Sequence, residues 1–171
     1  MNRLQPWKVL WLCSGNSARS LIAERLLRAK SKGRFAAFSA GLKSLGRINP
    51  PATRVLRDRD DLDATDLRSK SWGEFRGERF DFIITVCDLA SDACRSRPEA
   101  RAAVHWGSPD PTKAEGSEEA RYRRFVEFAS QVSRRIDLMC AFSNDQLLPW
   151  TMQGIGEEFA LQSAPRFALA I

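Results

Sequence analysis

"VLWLCSGNSARS", residues 9–20, is the stretch on which the reading of this chain turns. Its first half closes an apolar run over residues 7–13, short and continuous, which predicts a strand buried on both faces. Its second half opens a helix. From Ser17 to about Lys30, the apolar residues Ala18, Ile22, Leu26 and Ala29 recur at helical spacing. A thiol, Cys13, therefore stands at the tip of a strand that turns at once into a helix. Gly15 allows backbone conformations closed to other residues. Successive N–H groups can then turn inward, and a helix N-terminus adds donors of its own. Arg19 falls in the predicted first helical turn and carries a fork of donors suited to a tetrahedral oxyanion. Ser14, Gly15, Asn16, Ser17, Ala18, Arg19 and Ser20 are thus predicted to form an anion cradle with Cys13 at its base.

The cradle also activates the thiol. An ordinary thiol has a pKa of about 8.5, and helix N-termini and cations lower it. Ser20 can donate a hydrogen bond to the thiolate, and Asn16 can hold the loop through side-chain to backbone bonds. The one histidine, His105, falls inside a predicted strand, so a Cys–His dyad is not favoured.

Outward from this loop, strands and helices alternate. "RFAAFSAG" (34–41) reads as a strand, and "NPPATRVLRDRD" (49–60) as a helix opened by prolines. "RFDFIITVC" (79–87) is the clearest strand, and "AAVHW" (102–106) a shorter one ended by "GSPDP". A long helix over 118–140 carries Tyr122, Phe125, Ala129, Val132, Ile136 and Met139 as one apolar stripe. This order predicts an α/β fold with a parallel sheet covered on both faces. Residues 1–142 make one catalytic domain in this reading. Residues 143–171 change character and form a C-terminal extension, either a further helix packed on the domain or an arm that meets a partner.

Composition narrows the function. The 171 residues carry a formal net charge of +6, but basic residues are dispersed among acids, as in "RVLRDRDDLD", and no nucleic-acid-binding pattern occurs. A mild positive field suits a small anionic substrate. No apolar run approaches the roughly 20 residues of a membrane helix, and the N-terminus does not read as a signal peptide. A cytoplasmic protein without membrane or nucleic-acid partners is expected. The four cysteines, Cys13, Cys87, Cys94 and Cys140, make no CxxC pair, so no metal site is expected, and in a reducing compartment they start as thiols. Cys140 falls beside Met139 on the apolar stripe and reads as core.

The loop resembles the phosphate-binding loop of the low-molecular-weight tyrosine phosphatase superfamily. "SAG" (39–41), "INP" (48–50), "RSKSW" (68–72), "DFIITVCD" (81–88) and "HWGSPDP" (105–111) resemble its arsenate reductase branch, of the thioredoxin-coupled type, over roughly residues 7–141. The resemblance implies a flavodoxin-like three-layer sandwich with a four-stranded parallel sheet. In that order the third strand lies beside the first, which brings Cys87 near Cys13. Cys94 lies seven positions beyond Cys87, across "DLASDA". If that segment is helical, the two Cα atoms stand about 10 Å apart. A disulfide needs them within roughly 7 Å, so the segment would have to unwind.

The resemblance further implies a relay in which Cys13 attacks arsenate, Cys87 attacks Cys13 and Cys94 attacks Cys87. Arg19 binds the oxyanion and Asp110 serves as general acid; Asp110 also reads as a cap or turn residue. No cofactor is bound. An external thiol reductant resets the enzyme, thioredoxin first, with glutathione and glutaredoxin left open by "RSRPEA" (95–100) after Cys94. Phosphate or sulfate should bind as analogues. "PTKAEG" (111–116) has no aromatic residue after Asp110, which weakens a phosphotyrosine reading. Two alternatives remain at this point: a low-molecular-weight phosphatase needing only Cys13, Arg19 and Asp110, and a non-catalytic oxyanion or thiol-redox sensor.

Overall fold

The computed structural model describes residues 5–58, 62, 64–94 and 100–163, with side chains up to residue 157. Four strands, β1 (Trp7–Cys13), β2 (Phe35–Gly41), β3 (Phe80–Thr85) and β4 (Ala100–His105), form one parallel sheet in the order β2-β1-β3-β4. The helices are α1 (Arg19–Lys30), α2 (Pro50–Asp58), α3 (Asp88–Cys94), α4 (Glu118–Ala141) and α5 (Pro149–Ser163). This is the flavodoxin-like sheet order that the resemblance implied. Strand β1 is apolar because both its faces are covered: Val9, Leu10, Trp11 and Leu12 are all fully buried. All four strands run the same way, so their carboxyl ends share one edge, and the loops there meet at the switch point beside β1.

Several boundaries differ from the sequence reading, each for a local reason. Helix α1 starts at Arg19, so Ser17 and Ala18 belong to the loop. Strand β3 ends at Thr85, which leaves Val86 and Cys87 to the turn beyond it. The "DLASDA" segment, left conditional in sequence, is helix α3. Cys140 is half-buried at the margin of the core, since its place on α4 faces Arg34, whose guanidinium bonds the Cys140 carbonyl. Burial pushes its thiol pKa up. Of the predicted helix over 49–60, Arg59 and Asp60 lie outside the described residues.

Helix α5 packs on β4 and α4. Leu147, just before it, and Met152 and Ile155 within it are buried in the core. Each such side chain contributes about 1.5–3 kcal/mol on burial. Trp106 ties the two parts together: it is fully buried, packs edge-on against Trp11 at 5.4 Å, and its Nε1 donates to the Met152 carbonyl at 2.7 Å. Among the described residues, no helix is long and apolar enough to cross a membrane.

Candidate active site

Residues 14–18 join β1 to α1 and are braced from three sides. The Ser14 and Gly15 carbonyls accept from Lys43 N and Leu45 N at 3.0 Å each. The Ser17 carbonyl accepts from Asn49 N at 2.9 Å, and Ser69 Oγ donates to the Gly15 carbonyl at 3.1 Å. The motif residues around positions 39–41, 48–50 and 68–72, scattered in sequence, are therefore the walls of this one loop.

Asn16 is its keystone. It is fully buried and adopts φ 46°, in the left-handed region that asparagine tolerates better than most residues. Its Oδ1 accepts from Lys70 N at 2.6 Å, which turns its Nδ2 toward Ser20 Oγ (2.8 Å) and Ser39 Oγ (3.0 Å). Its backbone N–H donates to Cys13 Sγ at 3.1 Å. Ser20 Oγ lies 3.0 Å from the same sulfur. With Asn16 Nδ2 donating to its oxygen, the Ser20 hydroxyl can give its own proton to a thiolate. Two hydrogen-bonding groups thus converge on a buried sulfur beside a helix N-terminus.

Glycine at position 41 is required by close approach. A Cβ there would lie 2.7 Å from the Gly15 carbonyl carbon and 2.8 Å from Asn16 N, both backbone atoms that cannot swing aside. Gly41→Ala is therefore expected to displace the loop and weaken phosphate or arsenate binding about ten-fold or more. Isothermal titration with inorganic phosphate checks this; unchanged affinity would mean the loop tolerates the shift.

Arg19 draws three loops together. It is 7% exposed. Its Nη1 donates to the Val86 and Ser108 carbonyls at 3.3 Å each, and its Nη2 to Asp110 Oδ2 at 2.7 Å. Val86 N in turn donates to the Leu12 carbonyl at 3.0 Å. The turn bearing Cys87 is thereby fixed beside the end of β1, where Cys13 sits. Asp110 is the turn cap that one of its two sequence readings expected. Its Oδ1 caps a 3-10 turn at Pro111–Lys113, accepting from Thr112 N (3.0 Å) and Thr112 Oγ1 (2.8 Å), while Oδ2 faces Arg19.

Cys87 is 7% and Cys94 3% exposed, and all four cysteines are thiols rather than disulfides. Helix α3 stands between the two relay candidates, so they are not in bonding range while it is wound. Beside the cradle, a cavity of about 460 Å³ is lined by Ser17, Leu45, Arg47, Ile48, Asn49, Pro50 and Thr112, with no aromatic side chain among them.

Two groups of residues that sequence reading missed support this arrangement. Buried Glu24 accepts from Ser39 Oγ, from Lys70 Nζ at 2.9 Å and from Arg28 at 2.7 Å, anchoring the serine that holds Asn16. Arg135, 2% exposed, donates to the Trp106 and Gly107 carbonyls and to Ser108 Oγ, and so holds the loop that leads to Asp110. Burial lowers its pKa to about 10, which still leaves it charged at neutral pH. The signal was present in both cases: Arg135 stands among Phe128, Val132 and Met139 on the apolar stripe of α4, and Glu24 stands one helical turn after Ser20. A charge on a buried stripe needs partners.

Comparison with known proteins fits this geometry. The model of the family described as low molecular weight phosphotyrosine protein phosphatase matches residues 8–136. An arsenate reductase of Oceanobacillus iheyensis is 33% identical over 128 residues, 75% of this chain and 91% of that protein. Among solved structures, an arsenate reductase from Archaeoglobus fulgidus is 26% identical with a TM-score of 0.56, over 75% of this chain and 98% of that one. The tyrosine phosphatase Wzb of Escherichia coli K30, solved in complex with sulphate, is also 26% identical, with a TM-score of 0.58 over 75% and 94%. One architecture thus serves both activities, and by its loop, its sheet order and this match the chain belongs to the low molecular weight phosphotyrosine protein phosphatase family.

Proposed function

We propose that this protein is an arsenate reductase that works by a three-thiol relay. The observation that carries the reading is the second buried thiol, Cys87, on the turn that Arg19 holds beside Cys13. A phosphatase has no use for a thiol there. The arsenate reductases among the relatives support the same reading. The cavity free of aromatic residues also suits a small oxyanion better than a phosphotyrosine ring.

Arsenate enters the loop and binds the Arg19 donors not spent on Val86, Ser108 and Asp110, together with backbone N–H groups of residues 14–20. Cys13 thiolate attacks arsenic, an S–As bond forms, and hydroxide leaves as water with a proton from Asp110. Asp110 is held at this position by its contact with Arg19. Cys87 thiolate then attacks Cys13 Sγ. A disulfide forms, the S–As bond breaks, and its electron pair reduces As(V) to As(III), which departs as arsenite. Cys94 thiolate attacks Cys87, releasing Cys13 and leaving Cys87–Cys94 oxidised. A dithiol reductant of the thioredoxin class restores both thiols by exchange, with glutathione and glutaredoxin as the other candidate system. Of the "RSRPEA" stretch (95–100) beyond Cys94, residues 95–99 lie outside the described residues.

The test is one round of reaction. Reduced protein is mixed with arsenate without reductant, thiols are trapped by alkylation, and peptides are weighed by mass spectrometry. A Cys87–Cys94 disulfide matched by one arsenite per chain is expected. Four alkylated thiols and no arsenite would defeat the reading and return attention to aryl phosphate hydrolysis.

A further inference from the structure

The relay needs helix α3 to unwind, and one side chain outside the relay holds that helix. His105, the last residue of β4, reaches across to both ends of the turn that carries Cys87. Its Nδ1 is hydrogen-bonded to Thr85 Oγ1 at 2.9 Å, and its Nε2 pairs with Asp88 Oδ1 at 3.2 Å. Thr85 is the last residue of β3 and Asp88 the first of α3, so the imidazole ring spans Val86 and Cys87 like a clasp. His105 and Cys94 also line one cavity of about 390 Å³, with Thr85, Ser91 and Gln153.

The ring is placed with care. A Cβ on Gly107 would lie 2.5 Å from His105 Nε2, so glycine leaves the ring its space. Behind it, His105 N donates to Gln153 Oε1 of α5 at 3.2 Å. A Cβ on Gly156 would lie 2.5 Å from the His105 carbonyl oxygen, which is how closely α5 presses on this residue. Helix α5 lies beyond the residues that the family model matches, so this support comes from the chain's own C-terminal segment.

We propose that His105, backed by α5, is a positioning residue of the relay: by holding Asp88 against the end of β3 it keeps α3 wound, and so governs how often Cys94 is released toward Cys87. The idea rests on the relay reading, but its test does not. In the reduced full-length protein Cys94 is 3% exposed, so its reaction with iodoacetamide is expected to follow the opening of α3. Cys140, half-buried on α4, serves as internal control.

His105→Ala and Asp88→Ala are each expected to speed alkylation of Cys94 about three-fold, in keeping with the loss of a largely exposed pair, with Cys140 unchanged. The double variant should be no faster than the faster single, because both remove one interaction. A side chain with a general structural role would instead speed both thiols, or multiply its effect with that of Asp88. The Asp88 side chain is 95% exposed, so its variant tests the clasp even if His105→Ala folds poorly. Unchanged Cys94 reactivity in the singles, equal acceleration at Cys140, or multiplied effects in the double would each overturn the proposal. Failure of the reductase reading shows elsewhere, as absence of arsenite from the native protein, and leaves the alkylation comparison intact.

Discussion

Cys13→Ser is expected to lower arsenite formation by about 10⁴-fold or more, while phosphate binding stays within a few-fold. The two atoms differ little in size, and the loop around them is fixed by Asn16, Ser39 and the carbonyl bonds of residues 14–17 rather than by sulfur alone. What serine lacks is ionisation and redox capacity. Asn16 N and Ser20 Oγ are aimed at the sulfur, and a hydroxyl in its place is a far weaker acid and nucleophile than a thiol. An oxygen at this position also cannot end as half of a disulfide, so no electron pair reaches arsenic. Arsenite release and phosphate titration on one sample separate the two effects. Arsenite above a tenth of the native rate would mean that another thiol makes the first attack.

Cys87→Ser separates the two enzymes that share this architecture. Arsenite turnover should fall to background, because the arsenate bound to Cys13 then has no thiol beside it to complete the disulfide. Hydrolysis of an aryl phosphate should stay within about three-fold of native, since that reaction uses Cys13, Arg19 and Asp110 only. The position makes this a clean comparison. Cys87 lies on a turn whose backbone is held by Arg19 through the Val86 carbonyl and by the Ser91 N–H bond to its own carbonyl, and neither contact involves its sulfur. Surviving arsenite turnover in this variant would remove Cys87 from the relay. Loss of both activities would mean that the substitution disturbs the cradle itself.

The loop and sheet could be read from sequence because their signals are local. A continuous apolar strand, a glycine-bearing turn and a helix with residues at threes and fours are each written within about a dozen residues. Cys13, Arg19 and Ser20 follow from that stretch alone. Cys87 needed more, because its nearness to Cys13 depends on strand order, which the resemblance supplied. The supports of the site were less legible because they are long-range. Lys70 reaches Glu24, and Arg135 reaches the carbonyls of Trp106 and Gly107, by pairings that exist only after α1 and α4 have packed. In sequence His105 reads as a strand residue. It is one, and it is also the partner of Asp88, a fact that no periodicity in β4 contains.

Helix α3 has a consequence for the newly made chain. In the folded protein it separates two thiols that are close neighbours in sequence, and it can do so only once it has β1, β3 and β4 to rest on. The ribosome releases Cys87 and Cys94 almost together and β4 only afterwards. In that interval the segment between them is short flexible chain, and closing so small a ring costs little entropy. An oxidant met then makes the same bond that ends the proposed relay, but without arsenate and without a site. Reducing surroundings must therefore protect the nascent chain until the helix packs and takes over that task.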